Sequence, residues 1–210
     1  MKITTVLRTF IAAAAFASAS IASATALYSS YADQSSFLSA VSNAKTDNWG
    51  GASQNLNNAQ IKAISAGSIG YTSTGFSNHN LVGSYGLCWG CNGSGVMNLT
   101  STNVGSADGV YGFSTTLSFD NGYNAYITFG DNSILSLTNL SANSFIGFTS
   151  SSLIKSVEFA HAIGQHSTDG SVGFRQVTVA AEGAAVPEPT SVFLLGIGMI
   201  GVVAARRRKQ

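Results

Sequence analysis

YGFSTTLSFDNGYNAYITF, residues 111–129, alternates large and small side chains on both sides of one turn. Tyr111, Phe113, Thr115, Leu117 and Phe119 fall on one face of an extended chain, with Gly112, Ser114, Thr116 and Ser118 on the other. After Asp120-Asn121-Gly122 the period resumes with Tyr123, Ala125, Ile127 and Phe129 against Asn124, Tyr126 and Thr128. Side chains alternate across a strand, so a period of two marks strands with one buried face. A three-residue turn carrying Gly122 in the left-handed region would pair Phe119 with Tyr123, Leu117 with Ala125 and Thr115 with Ile127. That register puts the apolar residues on one side, and a β-hairpin is expected.

Further strands are expected outward from this stretch: Ile134–Leu137 after the turn Gly130-Asp131-Asn132, then Phe145–Thr149, Ile154–Ala160 and Val172–Ala180. Upstream, Asp33 is placed to cap a short helix over residues 34–45, with Phe37, Leu38 and Val41 along one face. From Ile69 onward the signals are β. The expected fold class is mainly β: an antiparallel β-sandwich or jelly-roll-like domain with a short N-terminal helix.

The chain has 210 residues, and both ends read as processing segments. Lys2 and Arg8 precede an apolar run, and Ala22-Ser23-Ala24 or Ala24-Thr25-Ala26 offers a small-x-small cleavage site. Residues 1–26 are read as a signal peptide that engages Sec-type export machinery and signal peptidase. Residues 27–185 form the expected extracytoplasmic domain, long enough to bury a core without a metal. There Lys45, Lys62, Lys155 and Arg175 face eight carboxylates, and no basic cluster offers a phosphate-binding face, so no nucleic-acid partner is expected.

The remaining segment, residues 186–210, has three parts in order. Val186-Pro187-Glu188-Pro189 contains the chain's two prolines, which hold the backbone extended. Residues 190–205 carry no charge and would run ~24 Å as a helix, close to the ~30 Å of a hydrocarbon core, so a single transmembrane helix is expected. Arg206, Arg207, Arg208 and Lys209 follow as a basic stop, which places that flank in the cytoplasm and the domain outside. This combination resembles a PEP-CTERM sorting domain. The resemblance implies processing by an exosortase, a membrane-embedded transpeptidase-like cysteine enzyme, in a Gram-negative-type bacterium that makes extracellular polysaccharide. It also implies an inner-membrane intermediate and a final place at the cell surface, the outer membrane or the extracellular matrix.

Phe145–Phe159 followed by Gly173–Val179 resembles the end of many PEP-CTERM surface domains, which are similar to galactose-binding-like or lectin-like sandwiches. Arg175-Gln176 stands where that pattern usually has an acidic residue and Asn, so no ligand site is carried over.

Cys88-Trp89-Gly90-Cys91 holds the chain's two cysteines. In an exported domain a disulfide is expected; a redox dithiol is the alternative, which favours a cysteine at a helix N-terminus. His79, His161 and His166 are scattered, and the sequence shows no nucleophile elbow. Asp108, Asp120 and Asp131 lie in turn-like segments that could hold one structural calcium ion, without matching an EF-hand loop. No other cofactor and no metal site are expected. Trp49, Tyr71, Tyr85, Trp89 and Tyr126 are candidates for stacking on sugar rings, Trp89 and Tyr126 foremost. The leading functional expectation is a non-enzymatic surface or matrix protein associated with exopolysaccharide and biofilm, binding carbohydrate. The alternatives are a secreted polysaccharide hydrolase using Glu158 and Asp169, and a thiol-disulfide protein using Cys88 and Cys91.

Overall fold

The computed structural model describes residues 28–73, 80–89, 94–118, 122–163 and 172–183. Its strands are β1 (Tyr28–Tyr31), β2 (Val41–Asn48), β3 (Gln54–Leu56), β4 (Gly70–Ser73), β5 (Asn80–Gly83), β6 (Gly86–Trp89), β7 (Gly95–Asn98), β8 (Val110–Leu117), β9 (Tyr123–Phe129), β10 (Ile134–Leu140), β11 (Phe145–Ala160) and β12 (Gly173–Gly183). Among the described residues two short helices accompany them, α1 (Gln34–Ala40) and α2 (Asn58–Ile64). The pairings are antiparallel throughout, as the mainly β expectation requires.

β11 organises the sheet. Its first half pairs with β8 through Phe145–Thr149 and with β1 through Gly147–Ser150. Its second half pairs with β9 and β7 instead. Between the halves Leu153 takes a positive φ of 60°, and the register shifts between Ile154 and Ser156. A bulged strand bends and re-aims its flanks. One strand thereby serves two leaves, β1-β11-β8-β12-β2 and β10-β9-β11-β7-β4. β6, β5 and β3 extend from the start of β12, where Gly173 and Phe174 pair with Cys88 and Leu87. The two strands expected at Phe145–Thr149 and Ile154–Ala160 are therefore halves of one continuous, bent strand.

The two leaves share one core. Phe113, Leu117, Phe148, Val177 and Val179 from one meet Ile127, Phe129, Val157, Met97 and Tyr71 from the other in a single buried cluster. Phe159 and Phe174 join the leaves directly, ring to ring at 4.9 Å. Each such large side chain, buried from water, contributes roughly 1.5–3 kcal/mol.

The expected hairpin over residues 111–129 does not form. β8 pairs with β11 and β12, while β9 pairs with β10 and β11, so consecutive strands lie in different leaves. Their buried residues belong to the same core cluster without pairing in one ladder. Gly122 does take the left-handed φ of +86°. Alternation is right for β9, where Tyr123, Ala125, Ile127 and Phe129 are buried and the residues between are half-buried. A period of two is equally satisfied by a hairpin and by a strand that crosses to the facing leaf, so it cannot choose between them. A hairpin does form one turn later, between β9 and β10. There the Ser133 carbonyl accepts from the Phe129 amide at 2.9 Å, and Asn132 adopts φ +66°.

α1 starts where expected. The Asp33 carboxylate accepts from the Ser36 amide at 2.8 Å. It ends at Ala40 instead of Lys45, and residues 41–48 become β2, seven of whose residues lie in register with β12. The β-branched Val41 favours the extended chain, and the ladder along the free edge of β12 outweighs one more helical turn. Phe37 is buried and Leu38 is 43% exposed, so the expected apolar face is only partly realised. α1 covers the outer face of β8. A Cβ at Gly112 would stand 3.2 Å from the Phe37 ring. Gln34 donates to Thr178 and accepts from Ser114. β8 is thus buried on both sides despite its polar outward residues.

Residues 1–26, the sorting segment Val186, Pro187, Glu188 and Pro189, the expected span 190–205 and the basic residues Arg206, Arg207, Arg208 and Lys209 lie outside the described residues. Among the described residues no helix is long and apolar enough to cross a membrane.

Candidate functional site

The candidate aromatics separate sharply by burial. Trp89 and Tyr71 are fully buried, Trp49 and Tyr126 are half-buried, and Tyr85 is 77% exposed. Trp89 packs edge-on against Phe174 at 4.8 Å and tilts towards Phe159 at 6.2 Å. It therefore fills the join between the leaves, and the expected sugar contact at Trp89 is corrected: its ring is not presented to solvent. Tyr126 lies on the outer side of β9, in register with Glu158, and shares the Asn124 amide and the His161 carbonyl as hydrogen-bond partners.

Tyr85 owes its exposure to a tight turn. Gly83 and Gly86 are paired, leaving Ser84 and Tyr85 at the tip of the β5-β6 hairpin. Gly86 has φ +106°, and a Cβ there would stand 2.2 Å from the Phe174 carbonyl oxygen. Only glycine lets this turn sit against β12. β3 pairs along β5, with Gln54 opposite Val82 and Asn55 opposite Leu81. The result is a groove of about 500 Å³ lined by Ser53, Gln54, Asn55, residues 81–86 and Cys88. None of these side chains is charged. β3 ends the pairing order, so the groove lies along a sheet edge. It can offer one aromatic face, two amides and hydroxyls, which is stacking and hydrogen-bonding chemistry and not acid–base chemistry.

A second groove of about 530 Å³ runs between β1, β10 and β11. Its two tyrosines are already engaged: Tyr28 stacks on Phe129 at 6.1 Å, and the Tyr31 hydroxyl bonds Thr149.

A polar cluster around Asp47 is closed to water. Asp47 of β2, 4% exposed, accepts from Ser65 Oγ at 2.6 Å, Ala66 N at 2.5 Å and the Tyr71 hydroxyl at 2.6 Å. Ser65 Oγ accepts in turn from the Ile69 amide. Burial first, then the Asp47 charge, holds the Tyr71 hydroxyl well above its usual pKa. The cluster ties the end of α2 to β2 and β4. Sequence reading missed both α2 and the cluster. The legible signal was Asn57-x-x-Gln60, a reciprocal capping box in which Asn57 accepts from Gln60 N while Gln60 accepts from Asn57 N.

The other candidates lie partly among the described residues and partly outside them. Cys88 is half-buried on β6 beside the first groove, and Cys91 lies outside the described residues. His79, His166 and Asp169 also lie outside them. His161 packs on Tyr123 at 4.4 Å, with Nδ1 3.2 Å from the Gly122 carbonyl. Glu158 is half-buried on β11. Asp131 accepts from Ser133 N and Oγ, and these bonds hold its carboxyl below the usual range, as a turn residue would be held. Among the described residues, no group of three or more His, Cys, Asp or Glu is placed to hold a metal ion.

No curated protein and no solved structure matches this chain. One family model does, that of the PEP-CTERM protein-sorting motif, over residues 185–209. That span takes in the Pro-Glu-Pro segment, the uncharged run and the basic residues read from the sequence. The chain therefore carries a PEP-CTERM protein-sorting motif, the address for exosortase-dependent export towards the cell surface.

Proposed function

We propose that this chain is a non-enzymatic surface or extracellular-matrix protein that associates with exopolysaccharide once an exosortase has processed its tail. The sorting motif at residues 185–209 carries this reading. The proposed route runs through Sec-type export, signal-peptide removal and a transient inner-membrane stage held by residues 190–205. The domain then reaches the outer surface or the matrix of a biofilm. The Tyr85 groove supports the polysaccharide half of the reading, because it is an exposed aromatic beside neutral hydrogen-bonding groups. Cys88 and Cys91 are proposed to form a local disulfide in the oxidising space outside the inner membrane.

The test is cell fractionation with mass spectrometry of the C-terminus, in strains with and without the exosortase. With the enzyme, the product should be at the surface or in the medium and lack Arg206–Lys209. Without it, full-length chain should stay in the inner membrane. Full-length chain in the inner membrane of both strains would refute the sorting half.

A further inference from the structure

We infer that the groove beside Tyr85 is a platform for an uncharged polysaccharide, with the Tyr85 ring as stacking surface and Gln54 and Asn55 as the polar contacts. This rests on the matrix-association reading and names its ligand class.

Four observations converge. The Tyr85 ring is 77% exposed on a two-residue turn whose backbone is locked by the approach of Gly86 to β12, so little order has to be gained on binding. No ring contact to it occurs among the described residues, whereas Tyr28 of the second groove is already stacked. The C–H face of a pyranose is apolar and flat enough to cover such a ring. Beside the turn, β3 places Gln54 and Asn55, with Ser53 and Ser84 alongside. An amide donates and accepts, matching sugar hydroxyls that do both.

Charge selects the class. Among the described residues that line the groove there is no Lys or Arg, so a polyuronate would lose water from its carboxylates and gain no counter-charge from them. A neutral polymer meets no such cost. The position along a sheet edge, with β3 last in the pairing order, favours a chain lying across the groove over a single enclosed sugar.

The experiment uses full-length chain in a zwitterionic, sugar-free detergent and affinity electrophoresis in gels containing dextran, galactomannan, mixed-linkage β-glucan or alginate. At least one neutral polymer should retard the wild type, with little change as salt is raised, and alginate should not. Tyr85→Ala should weaken binding by about tenfold. Tyr85→Trp should retain it, and Gln54→Ala should lower it by roughly threefold, within the usual effect of one hydrogen bond. Binding unchanged in both Tyr85→Ala and Gln54→Ala would overturn the site while leaving polysaccharide association standing. Salt-sensitive retardation by alginate alone would overturn the ligand class. Failure of the wild type with all four polymers would overturn this inference and the matrix-association reading together, while the fractionation result would still stand for sorting.

Discussion

Tyr71 and Tyr85 are the same residue with opposite fates. Tyr71 lies on the inner face of β4, fully buried, its hydroxyl 2.6 Å from the Asp47 carboxylate. Tyr85 tips a hairpin and keeps 77% of its surface in water. A buried phenol needs a partner, and the fold supplies a buried carboxylate that itself has three donors. An exposed phenol needs none, since water serves it. Trp89 belongs with Tyr71: an aromatic that could have served a surface is spent on joining the leaves. The difference teaches that aromatic content says little about binding until burial is known, since one residue type can be core, clamp or contact.

Substitutions at these places should separate the two roles by size. Trp89→Ala removes the ring packed between Phe159 and Phe174 and should lower unfolding stability in urea by about 4 kcal/mol. Asp47→Ala leaves two buried hydroxyls and an amide without their acceptor and should cost about 3 kcal/mol by the same measurement. A cost near zero would mean that water replaces the carboxylate and that the cluster is not a clamp.

Tyr71→Phe should cost about 1–2 kcal/mol and should also change the response to alkali. Because the fold raises the pKa of Tyr71, the unfolded chain releases that proton first, near pH ~10. The contribution is complete below that pH and declines above it, until the folded tyrosine ionises too. The urea midpoint of the wild type should therefore fall more steeply above pH ~10 than that of Tyr71→Phe. Equal slopes would place the alkaline sensitivity elsewhere. Smallest of all, Tyr85→Ala should change stability by no more than about 0.5 kcal/mol, because the ring packs on little. A larger loss would make Tyr85 structural and weaken the contrast from which its binding role is inferred.

How much of this was legible depends on the range of the interaction. The Asp33 cap, the Gly122 backbone, the turn at residues 130–132 and the inward set Tyr123, Ala125, Ile127 and Phe129 all follow from residues within a few positions of one another. The capping box at Asn57 and Gln60 was equally local and was overlooked. The groove was only half legible: Tyr85 could be listed among candidates, but nothing nearby in the chain reports that Gln54 and Asn55 lie beside it through β5. Trp89 was misplaced for the same reason, since its burial depends on Phe159 and Phe174, far along the chain.

The amino-acid sequence by itself determined the sorting tail, because that signal is linear, and it determined the mainly β character and the buried face of β9, because side-chain period is a property of a single strand. Only the tertiary structure decided that β8 and β9 lie in different leaves, that β11 bends to serve both, and that Tyr71 is buried while Tyr85 is not. Strand pairing and burial are set by contacts between distant segments, and alternation within one segment is compatible with several of them.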